Sequence, residues 1–305
     1  MLKVAKFGGT SLADSKQFNK VYDIIKNNDE RKYIIVSAPG KRFKDDNKIT
    51  DLLYLTYAHI KYSVPYAPIL KIIEDRFRQI KEELNLKTDL DYEFKIIKEN
   101  LDNKCEEDYI VSRGEYLCAL LMADYLDCDF IDAKDVIFFN YDGTVNEEKT
   151  HEKLTEILGK SNKAIIPGFY GSYPDGSIKT FSRGGSDITG SIVSSVMGAD
   201  IYENWTDVSG FLVADPRIVN NPKQIKKITY QELRELSYMG ASVLHEEAVF
   251  PVRQAGIPIN IKNTNDPENP GTLIIRDDQA GEDYANGHII TGIAGRKDFS
   301  FFYIH

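Results

Sequence analysis

Two glycine pairs, each set where a strand hands over to a helix, constrain this chain more than any other feature. Residues 2–7 (LKVAKF) read as a strand, followed by Gly8-Gly9-Thr10-Ser11 and a helix to about Asn27. Residues 33–38 (YIIVSA) read as a second strand, stopped by Pro39-Gly40. Strands joined through helices run parallel, so the pattern predicts an α/β protein with a largely parallel sheet. The alternation resumes at Gly184-Gly185, which opens a helix through Val196. Further strands are expected at 129–132, 164–169, 199–203, 257–262 and 271–275. Helices are expected at 113–126, about 229–238 and about 242–254, with a turn-rich loop over 206–224. Residues 50–103 break the rhythm. Leu70, Ile73, Phe77, Ile80 and Leu84 recur at helical spacing, which predicts an all-helical insertion broken near Pro65 and Pro68. Residues 281–287 read as a linker, and 289–305 as two strands of something else.

The chain has 305 residues, enough for a two-lobed enzyme with a sizeable core. Its net charge of −9 excludes broad attraction to nucleic acid or anionic lipid. An anionic ligand therefore needs a locally basic pocket. Cys105, Cys118 and Cys128 are odd in number and lack C-x-x-C spacing, which argues against a disulfide scaffold or a zinc site. No signal-peptide core opens the chain, and no stretch approaches 18 apolar residues. A cytoplasmic protein with no membrane or nucleic-acid partner is the expectation.

The first glycine turn offers such a pocket. Paired glycines let backbone N–H groups approach a ligand, and a helix N-terminus favours an anion. Lys6 can bring a full charge to Gly8, Gly9, Thr10 and Ser11. The motif matches neither of the common glycine-rich phosphate fingerprints, and a lone double-glycine turn is usually just a tight turn. Ser182-Arg183-Gly184-Gly185-Ser186-Asp187 repeats the logic, with the Arg183 fork suited to a carboxylate or phosphate. The plainer alternatives are that Ser186 or Asp187 caps the helix, or that Asp187 pairs locally with Arg183. Glu115, in Ser112-Arg113-Gly114-Glu115, could meet a substrate ammonium group or merely complement the dipole of a first helical turn. The loop over 205–217 could hold a nucleotide base, with Arg217 toward phosphates, or be a surface connection.

Taken together these motifs resemble the aspartate kinases of the amino acid kinase family. The resemblance rests on KFGGTS (6–11), VSAPG followed by Thr50-Asp51, SRGE (112–115), GFYGS (168–172) and SRGGSD (182–187). NWTDVSG (204–210), ADPR (214–217), GASVLH (240–245) and IKNT (261–264) complete the series in order, over residues 1 to about 276. It implies a three-layer α/β/α sandwich with a mainly parallel, eight-stranded central sheet. It implies a kinase domain over 1–280, with an aspartate-binding lobe over about 1–165, carrying the insertion 50–103, and an ATP-binding lobe over about 166–280. Residues 281–305 would be a linker and the start of a truncated regulatory ACT domain.

The same resemblance supplies roles. Lys6 would be the catalytic phosphate-binding lysine and Asp187 the acid that organises the centre. Thr50, Glu115, Arg183 and Ser186 would bind L-aspartate. Gly8, Gly9, Thr10, Ser11, Thr206, Asp207, Phe211, Leu212 and Arg217 would bind the nucleotide. ATP and Mg2+ are the implied cofactors; no side chain is assigned as a metal ligand. Family oligomers often form through ACT domains, which makes a homo-oligomer an expectation. Two positions depart from the family pattern: Leu212, where many relatives carry Tyr, and Ser242, where many carry Lys. Lys262 or Arg217 could replace that second cation. Rival readings are a relative acting on glutamate, carbamate or a nucleoside monophosphate, and a non-catalytic effector-binding protein on the same scaffold.

Overall fold

β1 (Lys3–Phe7) lies at the middle of the molecule rather than at an edge. The structure, a computed structural model, describes residues 1–182, 184–238, 244, 246–279 and 290–295. After β1 a 3-10 turn over Gly9–Leu12 leads to α1 (Ser15–Lys26) and β2 (Arg31–Val36). The insertion follows as α2 (Ile49–Lys61), α3 (Ala67–Glu83) and α4 (Leu90–Asp102). Pro68 sits in the first turn of α3, where a missing N–H costs nothing. Next come α5 (Glu107–Leu126), β3 (Asp129–Phe130), α6 (Glu147–Leu158) and β4 (Ala164–Pro167). A hairpin of β5 (Tyr170–Ser172) and β6 (Ile178–Thr180) precedes α7 (Gly185–Val196) and β7 (Ile201–Thr206). The chain continues through β8 (Lys227–Thr229), α8 (Tyr230–Tyr238), α9 (Glu246–Ala255), β9 (Ile259–Asn263) and β10 (Thr272–Ile275).

Eight strands form one sheet in the order β3-β4-β2-β1-β7-β9-β10-β8. All neighbours pair in parallel except β9 with β10. Helices cover both faces, because each face of the sheet is apolar. Ala5, Phe7, Ile34, Val36 and Trp205 pack with residues of α1 to α5 on one side. Val4, Tyr33, Ile35, Tyr202 and Ile259 pack with α6 to α9 on the other. The three-layer α/β/α sandwich with a mainly parallel eight-stranded sheet is therefore the observed architecture. Among the described residues no helix is long and apolar enough to cross a membrane.

Some boundaries differ from the sequence expectation. α5 starts at Glu107, not 113, so Ser112 to Glu115 lie inside it and are buried. β7 runs from Ile201 to Thr206, which places Asn204 and Trp205 in the sheet. α6 and the β5–β6 hairpin have no counterpart in the sequence reading. Of the expected strands in 289–305, residues 290–295 contain none, and the rest lies outside the described residues.

Candidate functional site

β1 leads to β2 on one side, while its other neighbour, β7, belongs to the later half of the chain. Ligands of open α/β sheets bind at such a reversal, beyond the carboxyl ends of the strands. Lys6 is at that end of β1. In parallel register it faces Ile35 of β2 and Asn204 of β7, so these side chains share one face. The Lys6 Nζ lies 2.6 Å from the Asp187 Oδ1, with side chains only 10% and 14% exposed. The Asn204 side-chain amide donates to the same oxygen at 2.8 Å. Two residues assigned as catalytic, from opposite halves of the sequence, thus meet in a shielded ion pair. Asn204 was missed as a contributor; its signal is the two-residue alternation that puts it beside Lys6.

Asp187 belongs to the first turn of α7, and Gly184 rather than a side chain occupies the cap, at φ 60°. Neither Ser186 nor Asp187 is the helix cap. Ser186 is buried against Gly168, where an added Cβ would come within 2.6 Å of the Ser186 Cβ. The next residue, Phe169, has φ 80° without being glycine, and the Phe169 N–H donates to the Thr189 hydroxyl at 3.2 Å. Such strain persists only where the surroundings enforce it, and it concentrates at functional sites. Arg183 lies outside the described residues, as does Ser242.

The GGTS turn does not feed an α-helix directly. α1 begins only at Ser15, capped by the Asp14 side chain, which accepts from the Gln17 N–H. The expected anion site at that helix end is therefore filled from within. What the glycines provide is close approach. The Gly8 N–H donates to the Trp205 carbonyl at 2.9 Å, and the Gly40 N–H to the Gly9 carbonyl at 2.7 Å. A Cβ on Gly9 would lie 2.7 Å from the Ala38 carbonyl oxygen. The Ser11 hydroxyl is buried and bonds the Thr264 hydroxyl at 2.7 Å, while the Thr264 N–H donates to the Thr206 carbonyl at 2.9 Å. Thr10 is exposed beside them.

The 36–40 loop also reaches the residues assigned to the amino-acid substrate. Thr50 is half-buried in the first turn of α2, anchored by the Ile49 N–H to the Pro39 carbonyl at 3.1 Å. Gly114 lets α5 close on this loop, since a Cβ there would lie 2.8 Å from the Ala38 Cβ. Glu115 follows, 5% exposed, and the Glu115 Oε2 is buried with no hydrogen-bond partner among the described residues. Burial pushes its pKa up to about 8, against weaker opposition from backbone hydrogen bonds at Ala38 and Glu115 and from the charge of Arg113. A buried carboxyl with one oxygen left without a partner among the described residues is suited to receive a ligand cation. The first-turn dipole explanation fails, because Glu115 lies well inside α5.

The segment expected to hold the nucleotide is less gathered. Thr206 closes β7, and the Thr206 hydroxyl donates to Asp207 at 3.2 Å. Phe211 is buried; the Phe211 N–H donates to the Thr272 hydroxyl at 2.9 Å, and its carbonyl accepts from the Ile225 N–H at 2.8 Å. Leu212 is exposed. The Arg217 side chain is 87% exposed and pairs with Asp215 at 2.6 Å, which lowers the Asp215 pKa to about 2. Among the described residues, none of Phe211, Leu212 and Arg217 bonds to the Lys6–Asp187 group. Lys262 does not supply a second cation there either. It is in register with Trp205, on the sheet face opposite Lys6. Its ammonium donates to the Asn269 carbonyl at 3.0 Å and sits 5.1 Å from the Trp205 ring centroid.

Comparison with known proteins shows the family and the fold. The model of the amino acid kinase family matches residues 1–263. Aspartokinase 3 of Bacillus subtilis is 38% identical over 99% of this chain and 69% of its own length. The crystal structure of an aspartate kinase from Clostridium acetobutylicum superposes with a TM-score of 0.91 and 57% identity, over 96% of this chain and 66% of that one. E. coli aspartokinase III, in complex with aspartate and ADP, gives 0.78 and 27%, over 90% and 65%. The chain thus spans about two thirds of the length of these proteins.

Proposed function

The chain belongs to the aspartokinases of the amino acid kinase family, and we propose that it transfers the γ-phosphoryl group of ATP to the side-chain carboxylate of L-aspartate. The product is 4-phospho-L-aspartate, an acyl phosphate at the head of lysine, threonine and methionine synthesis. Residues of about 1–165 take the amino acid and those of about 166–280 the nucleotide. The observation that carries the reading is the Lys6–Asp187 pair at the strand reversal, with the buried Glu115 Oε2, unbonded among the described residues, across the 36–40 loop. The relative solved with aspartate and ADP holds the same pair of ligand types.

The chemistry needs no general base. A side-chain carboxylate of pKa about 3.9 is ionised at neutral pH, so its oxygen attacks phosphorus directly. The new bond is carboxylate oxygen to phosphorus; the bond from phosphorus to the bridging oxygen breaks, and ADP leaves with that electron pair. Both partners are anions, so catalysis is positioning plus charge stabilisation. Lys6 supplies the fixed positive charge between them, and Asp187 with Asn204 holds its ammonium group in place. Arg183 is assigned to the α-carboxylate of aspartate with Ser186 nearby, Glu115 to its ammonium group, and Thr50 to the same substrate. Gly8, Gly9 and Thr10 face the phosphates. Asp187 offers a carboxylate where phosphates would lie, which suits Mg2+, an ion held by one or two carboxylates plus phosphate and water. When bound, Mg2+ supplies neutralisation of the developing phosphate charge.

A coupled assay tests the reading directly. ADP release is expected to require both L-aspartate and Mg2+, with glutamate, carbamate and nucleoside monophosphates inactive. ATP binding without aspartate-dependent ADP release would replace the enzyme by an effector-binding protein.

Glu115 adds a pH signature. The free protein holds this carboxyl protonated at neutral pH, whereas an ammonium ligand needs it ionised. KM for aspartate is therefore expected to fall as pH rises toward about 8 and then level off. Stability runs the other way. Between the unfolded value of about 4.3 and the folded value, the native state keeps a proton that the unfolded chain releases, so stability falls as pH rises. Glu115→Gln should raise KM for aspartate at pH 8, flatten both profiles and increase Tm at that pH. An unchanged pH dependence of Tm in this variant would assign the slope to other groups.

A further inference from the structure

α3, in the helical insertion, carries Arg76 inward. Its side chain is 3% exposed, unusual for an arginine outside an interface. The guanidinium divides between three acceptors. One nitrogen reaches the Ala13 carbonyl at 3.3 Å and the Gly40 carbonyl at 3.2 Å; the other lies 2.7 Å from the Asp46 Oδ2. Ala13 closes the 3-10 turn over Gly9–Leu12, Gly40 ends the 36–40 loop, and Asp46 belongs to the segment leading to Thr50. Asp46 is in turn held by Arg42, whose backbone N–H and guanidinium both donate to it at 2.9–3.0 Å. A planar fork can satisfy acceptors in fixed directions, which an ammonium group cannot.

Two of the segments so joined adjoin the site: the glycine turn lies beside Lys6, and the 36–40 loop beside Glu115. Their contacts leave no slack: Gly9 and Gly40 touch through backbone, and Ala38 packs on Gly114. We propose that Arg76, braced by Asp46, is a positioning residue for phosphoryl transfer, fixing the GGTS turn against the 36–40 loop. The helical insertion is then part of the catalytic apparatus rather than an ornament on one face. The inference rests on the kinase reading.

Three variants test it: Arg76→Met, Arg76→Lys and Asp46→Asn, the last a milder change should the first fail to fold. A displacement of about 1 Å can cost on the order of 100-fold in rate. Arg76→Met is expected to lower kcat per folded molecule by roughly 10- to 100-fold, with both KM values within about threefold. Arg76→Lys should recover part of the loss, and Asp46→Asn should fall between. Hydrogen–deuterium exchange should quicken in residues 8–14 and 36–48 and stay unchanged in α4 and α9. A loss of folded protein with wild-type kcat in what remains would make Arg76 merely structural and overturn the proposal, as would unchanged exchange in the two segments. Wild-type protein without aspartate-dependent ADP release would sink the kinase reading, while the exchange pattern still reports on the clamp.

Discussion

Lys6→Ala is expected to reduce aspartate-dependent ADP release by about a thousandfold or more. Removing one preorganised donor at a developing charge costs on the order of 100- to 1000-fold, and Lys6 carries a full charge between two anions. The same change has a structural cost. It strands the Asp187 carboxylate, 14% exposed in the intact pair, with only the Asn204 amide among the described residues on its paired oxygen. Breaking a buried ion pair by removing one partner costs about 3–5 kcal/mol. Urea unfolding separates the two effects. The double variant Lys6→Ala/Asp187→Asn removes the stranded charge, so its stability should return toward wild type while turnover stays lost. Near-normal turnover in Lys6→Ala would remove this residue from the mechanism.

Gly9→Ala should cause the second largest loss. Its added methyl would sit 2.7 Å from the Ala38 carbonyl oxygen and 3.2 Å from the Gly40 nitrogen, both backbone atoms. Neither can swing aside as a side-chain tip would, so the turn and the loop must separate. Overpacking of this kind costs about 1–3 kcal/mol. Because the methyl drives apart the segments that bear Lys6 and face Glu115, kcat should fall about 100-fold. The neighbouring Gly8 is a control. A Cβ there would meet only the Trp205 carbonyl at 3.5 Å and the Lys6 Nζ at 3.7 Å, ordinary contacts. Gly8→Ala should therefore unfold at nearly the wild-type urea concentration. Equal destabilisation by the two alanines would show that the close approach at Gly9 is not the cause.

Most of the sheet was legible because its strands are short apolar runs flanked by turn residues. β1, β2, β4, β9 and β10 lie within a residue or two of expectation. The start of α5 was not legible. Glu107 and Asp108 form its first turn behind Glu106 at the cap, where acids suit the helix dipole. That shift matters, because it moves Glu115 from a solvated helix end to a buried helix middle. The pairing of Lys6 with Asp187 could be anticipated from the family resemblance but not from the residues, whose local alternatives were a tight turn and a helix cap. Arg76 was invisible for another reason. It acts through partners far along the chain, and nothing in its immediate neighbours marks it. Arg217 shows the opposite error: a cation in a suggestive loop is satisfied by Asp215 two residues away.

The placement of β1 between β2 and β7 has a consequence for how the protein comes into being. β1 leaves the ribosome before β2, which follows soon after, so one edge can pair early. Its other edge stays open until β7 emerges, long after the insertion helices have been made. An unpaired, apolar, parallel-pairing edge held open during synthesis is a natural target for chaperones and for aggregation. The lysine it bears has no acidic companion during that interval, so nascent chains should acquire nucleotide affinity only once the second half has docked.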